Sequence, residues 1–241
     1  YYVYRIQMED HVQTGIVGAG SVTAYEENFI RRHELTRPDK ETDRVKQILA
    51  VNAQTGPVFT THKPDSDLAA VTDEVTTSDP DYSVTGQGGV IHTLWVVVCR
   101  DQIERITAGF DRLGTIYIAD GHHRSAAASR VAAQLKIENP NHTGDEAYNS
   151  FLIVSFPKSE LKVLDYNRLI KDLNGLSVEE FICNLGAAFK VEKRSKPFKP
   201  HCIRMFGMYV KGQWYCLEYT GATVDQAVPV SDLDVSLLTT S

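Results

Sequence analysis

The segment with the most chemical potential is Asp120–Arg124, which reads Asp-Gly-His-His-Arg and so places a carboxylate, two imidazoles and a guanidinium close together. The apolar residues Ile116–Ala119 before it predict a buried strand end, and the alanine-rich stretch Ser125–Leu135 after it predicts a helix. The segment is therefore predicted to be the turn between a strand and a helix. Such a turn places the first unpaired N–H groups of the helix beside the loop side chains, which favours anion binding.

Each residue type in this turn suits acid–base or phosphate chemistry. Gly121 can adopt a positive φ and let a ligand approach the backbone, and Arg124 can make a two-pronged contact with phosphate or carboxylate. His122 or His123 can donate hydrogen bonds or carry a proton near neutral pH. Asp120 can hold a divalent cation or orient a histidine. A solvated helix N-terminus would explain each residue alone, but their clustering predicts a functional site.

A second charged segment, residues 31–44, surrounds Glu34 with arginines. His33 and Glu34 resemble the beginning of a zinc-protease helix, but Arg37 stands where the second histidine is needed, which excludes that reaction. An arginine-rich setting favours an ionised Glu34, which could act as a general base toward a hydroxyl while Arg37 and Arg44 neutralise phosphate. A solvated charged loop is the alternative interpretation of this segment.

Composition limits the function classes. The 241 residues are 42% hydrophobic and 23% charged, which is enough for one large or two modest domains. The net charge of -6 argues against broad nucleic-acid binding. No apolar run approaches the ~20 residues of a membrane span, no secretory signal is visible, and no P-loop or Rossmann fingerprint occurs. Four scattered cysteines indicate free thiols in a cytoplasmic protein, and these are Cys99, Cys183, Cys202 and Cys216.

The mixture of hairpins and helices, without a strict βαβ rhythm, predicts an α+β fold. A polar break, "IENPNHTGDEA", predicts a boundary between a domain over 1–138 and a smaller α+β domain over 146–241. Both ends lie inside predicted elements, so we expect the sequence to be a piece of a longer protein. Local patterns further predict a helix over Asp65–Thr76, an N-cap at Asp101, strands at 149–157 and 161–170, a capping box from Ser177 to Glu180, and a hairpin turn at Lys211-Gly212.

Six strings together resemble the family catalogued as domain of unknown function 1015 (DUF1015). They are "HELTRPDKETDR", "NAQTGPVF", "IYIADGHHRSAAASR", "FLIVSFP", "LDYNRLIKDLNGLS" and "FGMYVKGQWYCL", and they span nearly the whole chain. Members of that family usually extend further on both sides. The family name itself assigns no activity.

A more distant resemblance is to the ParB/sulfiredoxin-like fold, in which a strand, an Asp-Gly-His-x-Arg motif and a helix follow one another. Asp120, Gly121, His122 and Arg124 match the motif of its free-serine kinase branch. Sulfiredoxin itself has a cysteine at the position of His122, and ParB partition proteins have Gly-Glu-Arg-Arg at this place. The resemblance therefore implies a ParB/sulfiredoxin-like mixed sheet with helices, and it is closest to the kinase branch.

The kinase resemblance implies a nucleotide-dependent phosphotransferase that acts on a small hydroxyl compound such as free serine, with ATP or ADP and Mg²⁺. The branch takes its base from an earlier segment, so Glu34 is the expected base, with His122 as a further catalytic residue and Asp120 as a catalytic and metal-binding residue. The expected nucleotide-binding residues are Gly121, His123, Arg124, Arg37 and Arg44.

Two alternatives to the kinase remain open at this point. One is a non-catalytic nucleotide-binding switch, which would need Gly121 and Arg124 but not Glu34. The other is a ParB-like nuclease, against which the acidic balance counts. The expected partners are a small-molecule substrate and a nucleotide, without membrane or nucleic acid, and a homo-oligomer is a further open expectation.

Overall fold

The strands of the chain lie in two separate sheets, an eight-stranded mixed sheet and a three-stranded antiparallel sheet. These sheets belong to two compact units, Tyr1–Leu164 and Asp165–Ser241. The computed structural model describes residues 1–165, 167–221 and 233–240. Helices accompany mostly antiparallel strands, which confirms the predicted α+β class.

The first unit combines eight strands with five α-helices among its described residues. The strands are β1 (Tyr2–Met8), β2 (His11–Ser21), β3 (Ile30–Arg31), β4 (Val58–His62), β5 (Tyr82–Thr85), β6 (Ile91–Val96), β7 (Ile116–Asp120) and β8 (Ser150–Pro157). The helices are α1 (Val22–Glu26), α2 (Pro38–Val51), α3 (Ser66–Val75), α4 (Arg100–Leu113) and α5 (His122–Glu138). The strand order is β3-β7-β4-β8-β2-β1-β6-β5, in which β3–β7 and β4–β8 are the parallel pairs.

Two buried apolar clusters pack the helices onto this sheet. In one cluster, Val58 of β4 and Ile118 of β7 lie against Ala128 of α5. In the other, Val71 of α3 packs with Trp95 of β6. Because β7 and α5 share the first cluster, the turn between them is held by packing on both sides.

The helix starts follow local capping chemistry. Helix α3 begins one residue later than predicted, because Asp65 is its N-cap, and the Asp65 carboxylate accepts two backbone N–H groups of the first turn at 3.0 Å each. Helix α4 differs from the prediction, because its N-cap is Cys99 and Asp101 lies in its first turn. An acidic residue in the first turn still complements the helix dipole, which is why the sequence resembled a cap there.

The division between the units lies later than the sequence predicted. Strand β8 pairs with β4 on one side and β2 on the other, so it belongs to the first sheet. The polar break is a bonded loop, in which the Glu146 carboxylate accepts the N–H groups of Thr143 and Gly144 at 2.7 and 3.0 Å. These backbone hydrogen bonds lower the pKa of Glu146 to about 2. Pro, Gly and Asn in this stretch therefore mark a tight turn within the first unit.

The second unit carries the three-stranded antiparallel sheet. The predicted capping box between Ser177 and Glu180 is present, and the predicted hairpin turns at Lys211-Gly212, both residues having positive φ. The described residues of 161–170 form no strand, contrary to the prediction, and their apolar side chains are largely exposed. The elements of the second unit are β9 (Phe189–Arg194), β10 (Met205–Val210), β11 (Gln213–Tyr219), α6 (Val178–Leu185) and α7 (Asp234–Thr240). Its strands lie in the order β10-β11-β9.

The remaining sequence expectations concern the cysteines and the membrane. All four cysteines are free thiols, and Cys216 is the buried one. Within residues 1–165, 167–221 and 233–240, no helix is both long enough and apolar enough to cross a bilayer.

Candidate functional site

The Asp-Gly-His-His-Arg segment lies where β7 ends and α5 begins, as predicted. Asp120 is the last residue of the strand, and Gly121 caps the helix with a φ of 100°. The helix starts earlier than the sequence suggested, because His122 and Arg124 already lie in its first turn. The Gly121 carbonyl oxygen accepts the N–H groups of Arg124 and Ser125 at 2.9 and 3.0 Å. The side chains of the motif therefore surround a genuine helix N-terminus.

His122 is the buried member of the motif. Its side chain is only 4% exposed, and its Nδ1 lies 3.3 Å from Oε2 of Glu34, which is 61% exposed. The ring of His33 contacts it edge to face, with the centroids 4.6 Å apart. Burial, and secondarily the nearby His33, lowers the pKa of His122, although the charges of Glu34 and Asp120 oppose that shift. The structure thus brings the predicted base Glu34 to a buried imidazole at the helix end.

The loop that carries Glu34 is joined to the motif a second time. The backbone N–H of Arg37 donates to Nε2 of His123 at 3.2 Å. The guanidinium of Arg37 is mostly exposed and pairs with Asp39, with 3.0 Å between Nη2 and Oδ2. Arg37 is therefore attached to the motif through its backbone, and the structure does not bring its predicted phosphate-binding group to the other site residues.

Arg124 lies along the backbone of the motif. Its Nη2 donates to Oδ2 of Asp120 at 2.7 Å, while its buried Nε has no hydrogen-bond partner among the described residues. A Cβ on Gly121 would come within 3.0 Å of the Arg124 guanidinium, and one on Gly56 would lie 3.6 Å from it. The two glycines thus provide the surface on which the arginine side chain lies.

A cleft of about 160 Å³ opens beside Arg124. Arg44 of α2 lines the same cleft, so the structure brings together two of the arginines predicted to bind phosphate. The Arg44 guanidinium also binds Gln47 and Asp43, at 2.7 and 2.6 Å. The other lining residues are polar or small apart from one isoleucine, and they are Gln47, Ile48, Gln54, Thr55 and Gly56.

Asp120 is the predicted metal ligand. Among the described residues, no group of three or more His, Cys, Asp or Glu side chains could hold a metal ion. Mg²⁺ in nucleotide sites is usually held by one or two carboxylates together with phosphates and water. The mostly exposed carboxylate of Asp120 fits that mode, in exchange for its present partner Arg124.

Sequence reasoning missed three contributors to this site. In the sequence His33 resembles half of a metalloprotease motif, and Gln47 and Gly56 lie outside the two charged segments. The signal for Gly56 was its position just before β4, because β4 pairs antiparallel with β7 and Phe59 is opposite Asp120. That pairing joins residues far apart in the chain, so no local pattern indicates it.

Comparisons with known proteins place the chain at the family level. A family model described as "Protein of unknown function (DUF1015)" matches residues 1–236. Searches among curated proteins and among solved structures found no match. Because the match covers almost the whole chain, as the six strings predicted, the chain belongs to the DUF1015 family.

Proposed function

We propose that the chain is a nucleotide-dependent phosphotransferase that acts on a small hydroxyl compound such as free serine, with ATP or ADP and Mg²⁺ as the donor. The observation that carries the proposal is the 3.3 Å approach of the exposed Glu34 carboxylate to His122 at the helix N-terminus. That approach puts a candidate base beside the part of the fold best suited to bind phosphate.

Phosphate binding is assigned to the cleft and the adjoining helix end. Arg124 and Arg44 both line the cleft, and a phosphate oxygen could accept hydrogen bonds from either guanidinium. The free N–H groups in the first turn of α5 add a partial positive charge. Arg124 would exchange its Asp120 partner for phosphate, which also satisfies its unpartnered Nε, and Asp120 would then be free to hold Mg²⁺.

Glu34 is assigned the proton transfer. Its carboxylate takes the hydroxyl proton of the acceptor, the acceptor oxygen forms a bond to the terminal phosphorus, and the bond from that phosphorus to the leaving nucleotide breaks. The buried His122 ring, whose pKa is lowered by burial, lies 3.3 Å from the carboxylate and orients it by contact. Mg²⁺, when bound, neutralises charge on the phosphates.

The second candidate is a non-catalytic nucleotide-binding switch. The Asp120–Arg124 ion pair favours it, because a nucleotide phosphate that displaced Asp120 from the 2.7 Å hydrogen bond would exchange one bonded state for another. The switch needs the cleft arginines but not Glu34. The two functions therefore differ in whether Glu34 affects product formation.

The first test is calorimetric titration of ATP and of ADP, each with Mg²⁺, into the wild type, Arg124→Ala and Arg100→Ala. Arg100 is an exposed arginine paired with Glu104, remote from the motif in sequence, and serves as the matched control. We expect Arg124→Ala to weaken binding at least tenfold, because charged hydrogen bonds contribute about 1.5–3 kcal/mol. The Arg100→Ala affinity should equal that of the wild type. Absence of binding to the wild type, or full affinity in Arg124→Ala, would refute the phosphate assignment.

The second test measures phosphorylation of serine and other small hydroxyl compounds by the wild type, Glu34→Gln and Glu27→Gln. Loss of a general base typically costs 10²–10⁴-fold in rate, so turnover by Glu34→Gln should fall at least about 100-fold while nucleotide affinity stays unchanged. Glu27 is an exposed carboxylate that serves as the control. Nucleotide binding without any product in the wild type would select the switch, and full turnover by Glu34→Gln would require another base.

A further inference from the structure

A second pocket, of about 90 Å³, lies between α3 and the neighbouring ends of β2, β4 and β8. That volume is well above the ~10–15 Å³ needed for a single water molecule, so several heavy atoms fit. It lies at the opposite end of β4 from the candidate site, because β4 begins near Asp120 and ends at His62. The lining residues include Thr14, His62, Asp65, Thr72, Ser155 and Glu160.

His62 lines this pocket and bonds a neighbouring strand through only one of its ring nitrogens. The residue is 3% exposed, and its Nδ1 lies 2.8 Å from the hydroxyl of the fully buried Ser155. Its Nε2 has no hydrogen-bond partner in the described part of the chain, yet it is not completely enclosed. Burial lowers the pKa of His62 to about 4, so the ring is neutral at physiological pH.

Glu160 gives the pocket its charge. Its Oε2 accepts the backbone N–H of Thr14 at 2.6 Å, which fixes the carboxylate against β2. Among the described residues, its other oxygen has no hydrogen-bond partner and remains available to a ligand. Asp65 also lines the pocket, but its charge is balanced by Arg112 at 3.1 Å. The described lining residues include no lysine or arginine, so the pocket complements a cation rather than an anion.

We propose that this pocket binds a small primary amine, whose ammonium group contacts Glu160 and donates a hydrogen bond to Nε2 of His62. An ammonium group has three donors and no acceptor, which suits a carboxylate oxygen and an imidazole nitrogen on one wall. In this arrangement Nδ1 of His62 carries the ring proton and donates a hydrogen bond to the Ser155 hydroxyl oxygen. The proposal is independent of the proposed phosphotransferase function.

The test is an NMR titration of the full chain, observing the ¹⁵N resonances of the His62 ring. The probe is ethanolamine at neutral pH, and ethylene glycol is its uncharged counterpart of similar size. We expect a saturable shift of the Nε2 resonance with ethanolamine and none with ethylene glycol. Glu160→Gln keeps an oxygen that can accept the Thr14 N–H but removes the charge, and it should weaken ethanolamine binding at least tenfold.

Glu138→Gln is the matched control, since Glu138 is an exposed carboxylate at the end of α5 and does not line the pocket. It should bind ethanolamine as the wild type does. The proposal is wrong if ethanolamine gives no saturable shift, if ethylene glycol shifts the resonance equally, or if Mg²⁺ or Ca²⁺ does so and ethanolamine does not. Thermal unfolding of each variant confirms that the folded chain was titrated.

Discussion

Gly121 determines how the functional side chains are presented, because the backbone turns there from β7 into α5. Its φ of 100° is unfavourable for any residue with a Cβ, and a Cβ would lie 3.0 Å from the Arg124 guanidinium and 3.2 Å from Cα of Val58. We therefore expect Gly121→Ala to lower the free energy of unfolding by about 3 kcal/mol, combining backbone strain with displacement of Arg124. Urea denaturation measures the loss of unfolding free energy. Nucleotide titration measures how far the displacement of Arg124 weakens binding.

Gly144→Ala separates strain from crowding. Gly144 has a similar φ of 105°, but no atom lies within 4 Å of the position its Cβ would take. This variant should lose only about 1 kcal/mol, the usual cost of a left-handed conformation. Equal losses in the two alanine variants would show that crowding of the Gly121 Cβ against Arg124 and Val58 adds nothing to the cost of the backbone strain.

At the residue scale, the sequence predicted that Asp120–Arg124 lies between a strand and a helix, but it did not predict the partner of each side chain. Arg124 and Asp120 are four residues apart, and their side chains are hydrogen-bonded because the helix starts at His122. His123 accepts a backbone N–H from Arg37, a contact that depends on the path of a loop. Clustered charges in a sequence indicate a site, whereas the partner of each group depends on the tertiary arrangement.

Among the elements, helix α2 both lines the cleft and packs on α5. Arg44 lines the cleft, and the next residue, Val45, is buried. Val45 packs with Ala127 and Val131 of α5 in a small buried cluster. Val45→Ala removes two buried methyl groups, so we expect a loss of about 2 kcal/mol of unfolding free energy and weaker nucleotide binding. Denaturant unfolding and calorimetry measure the two effects.

Val51→Ala on the same helix is the control for that substitution. Val51 is the last residue of α2 and is 53% exposed, so its truncation should change the unfolding free energy by less than about 0.5 kcal/mol. If Val45→Ala weakened nucleotide binding no more than Val51→Ala does, the packing of α2 on α5 would not control the cleft.

The elements with strong local signals were the ones predicted correctly. The capping box at Ser177 acts through neighbouring backbone groups, so the sequence contains all the information it needs. The stretch 161–170 has strand-like apolar content but gains no sheet partner among the described residues. Apolar content predicts a strand only where another strand is available to pair with it.

At the scale of the whole molecule, the long-range pairing of β8 decides where the first unit ends. Strand β8 lies between β4 and β2, although Ile16 and Ser155, which pair with each other there, are separated by most of the unit. A polar stretch such as residues 139–146 resembles a linker locally. Only the sheet order shows that the chain returns to the same sheet after it.

Acid stability is a property of the whole first unit that can be traced to one side chain. His62 has a pKa of about 4 when folded, because burial disfavours its charged form, and 6.5 is the ordinary value expected on unfolding. Between those values the unfolded chain binds a proton that the folded chain does not, so stability falls as the pH decreases from 6.5 toward 4. The full shift corresponds to about 3 kcal/mol. The lowered pKa of His122 adds a loss of the same sign.

Comparison of the wild type with His62→Gln isolates this contribution, because a glutamine cannot titrate and the other groups are shared. Trp95 is buried in the first unit, so its fluorescence in a Trp214→Phe background reports urea unfolding of that unit alone. We expect the unfolding free energy to fall about 3 kcal/mol further in the His62-containing chain than in His62→Gln between pH 6.5 and 4. The comparison uses only the slope with pH, so a constant loss of stability in His62→Gln does not affect it. Parallel pH profiles would show that His62 is protonated in the folded chain, which its burial against Ser155 and Phe110 argues against.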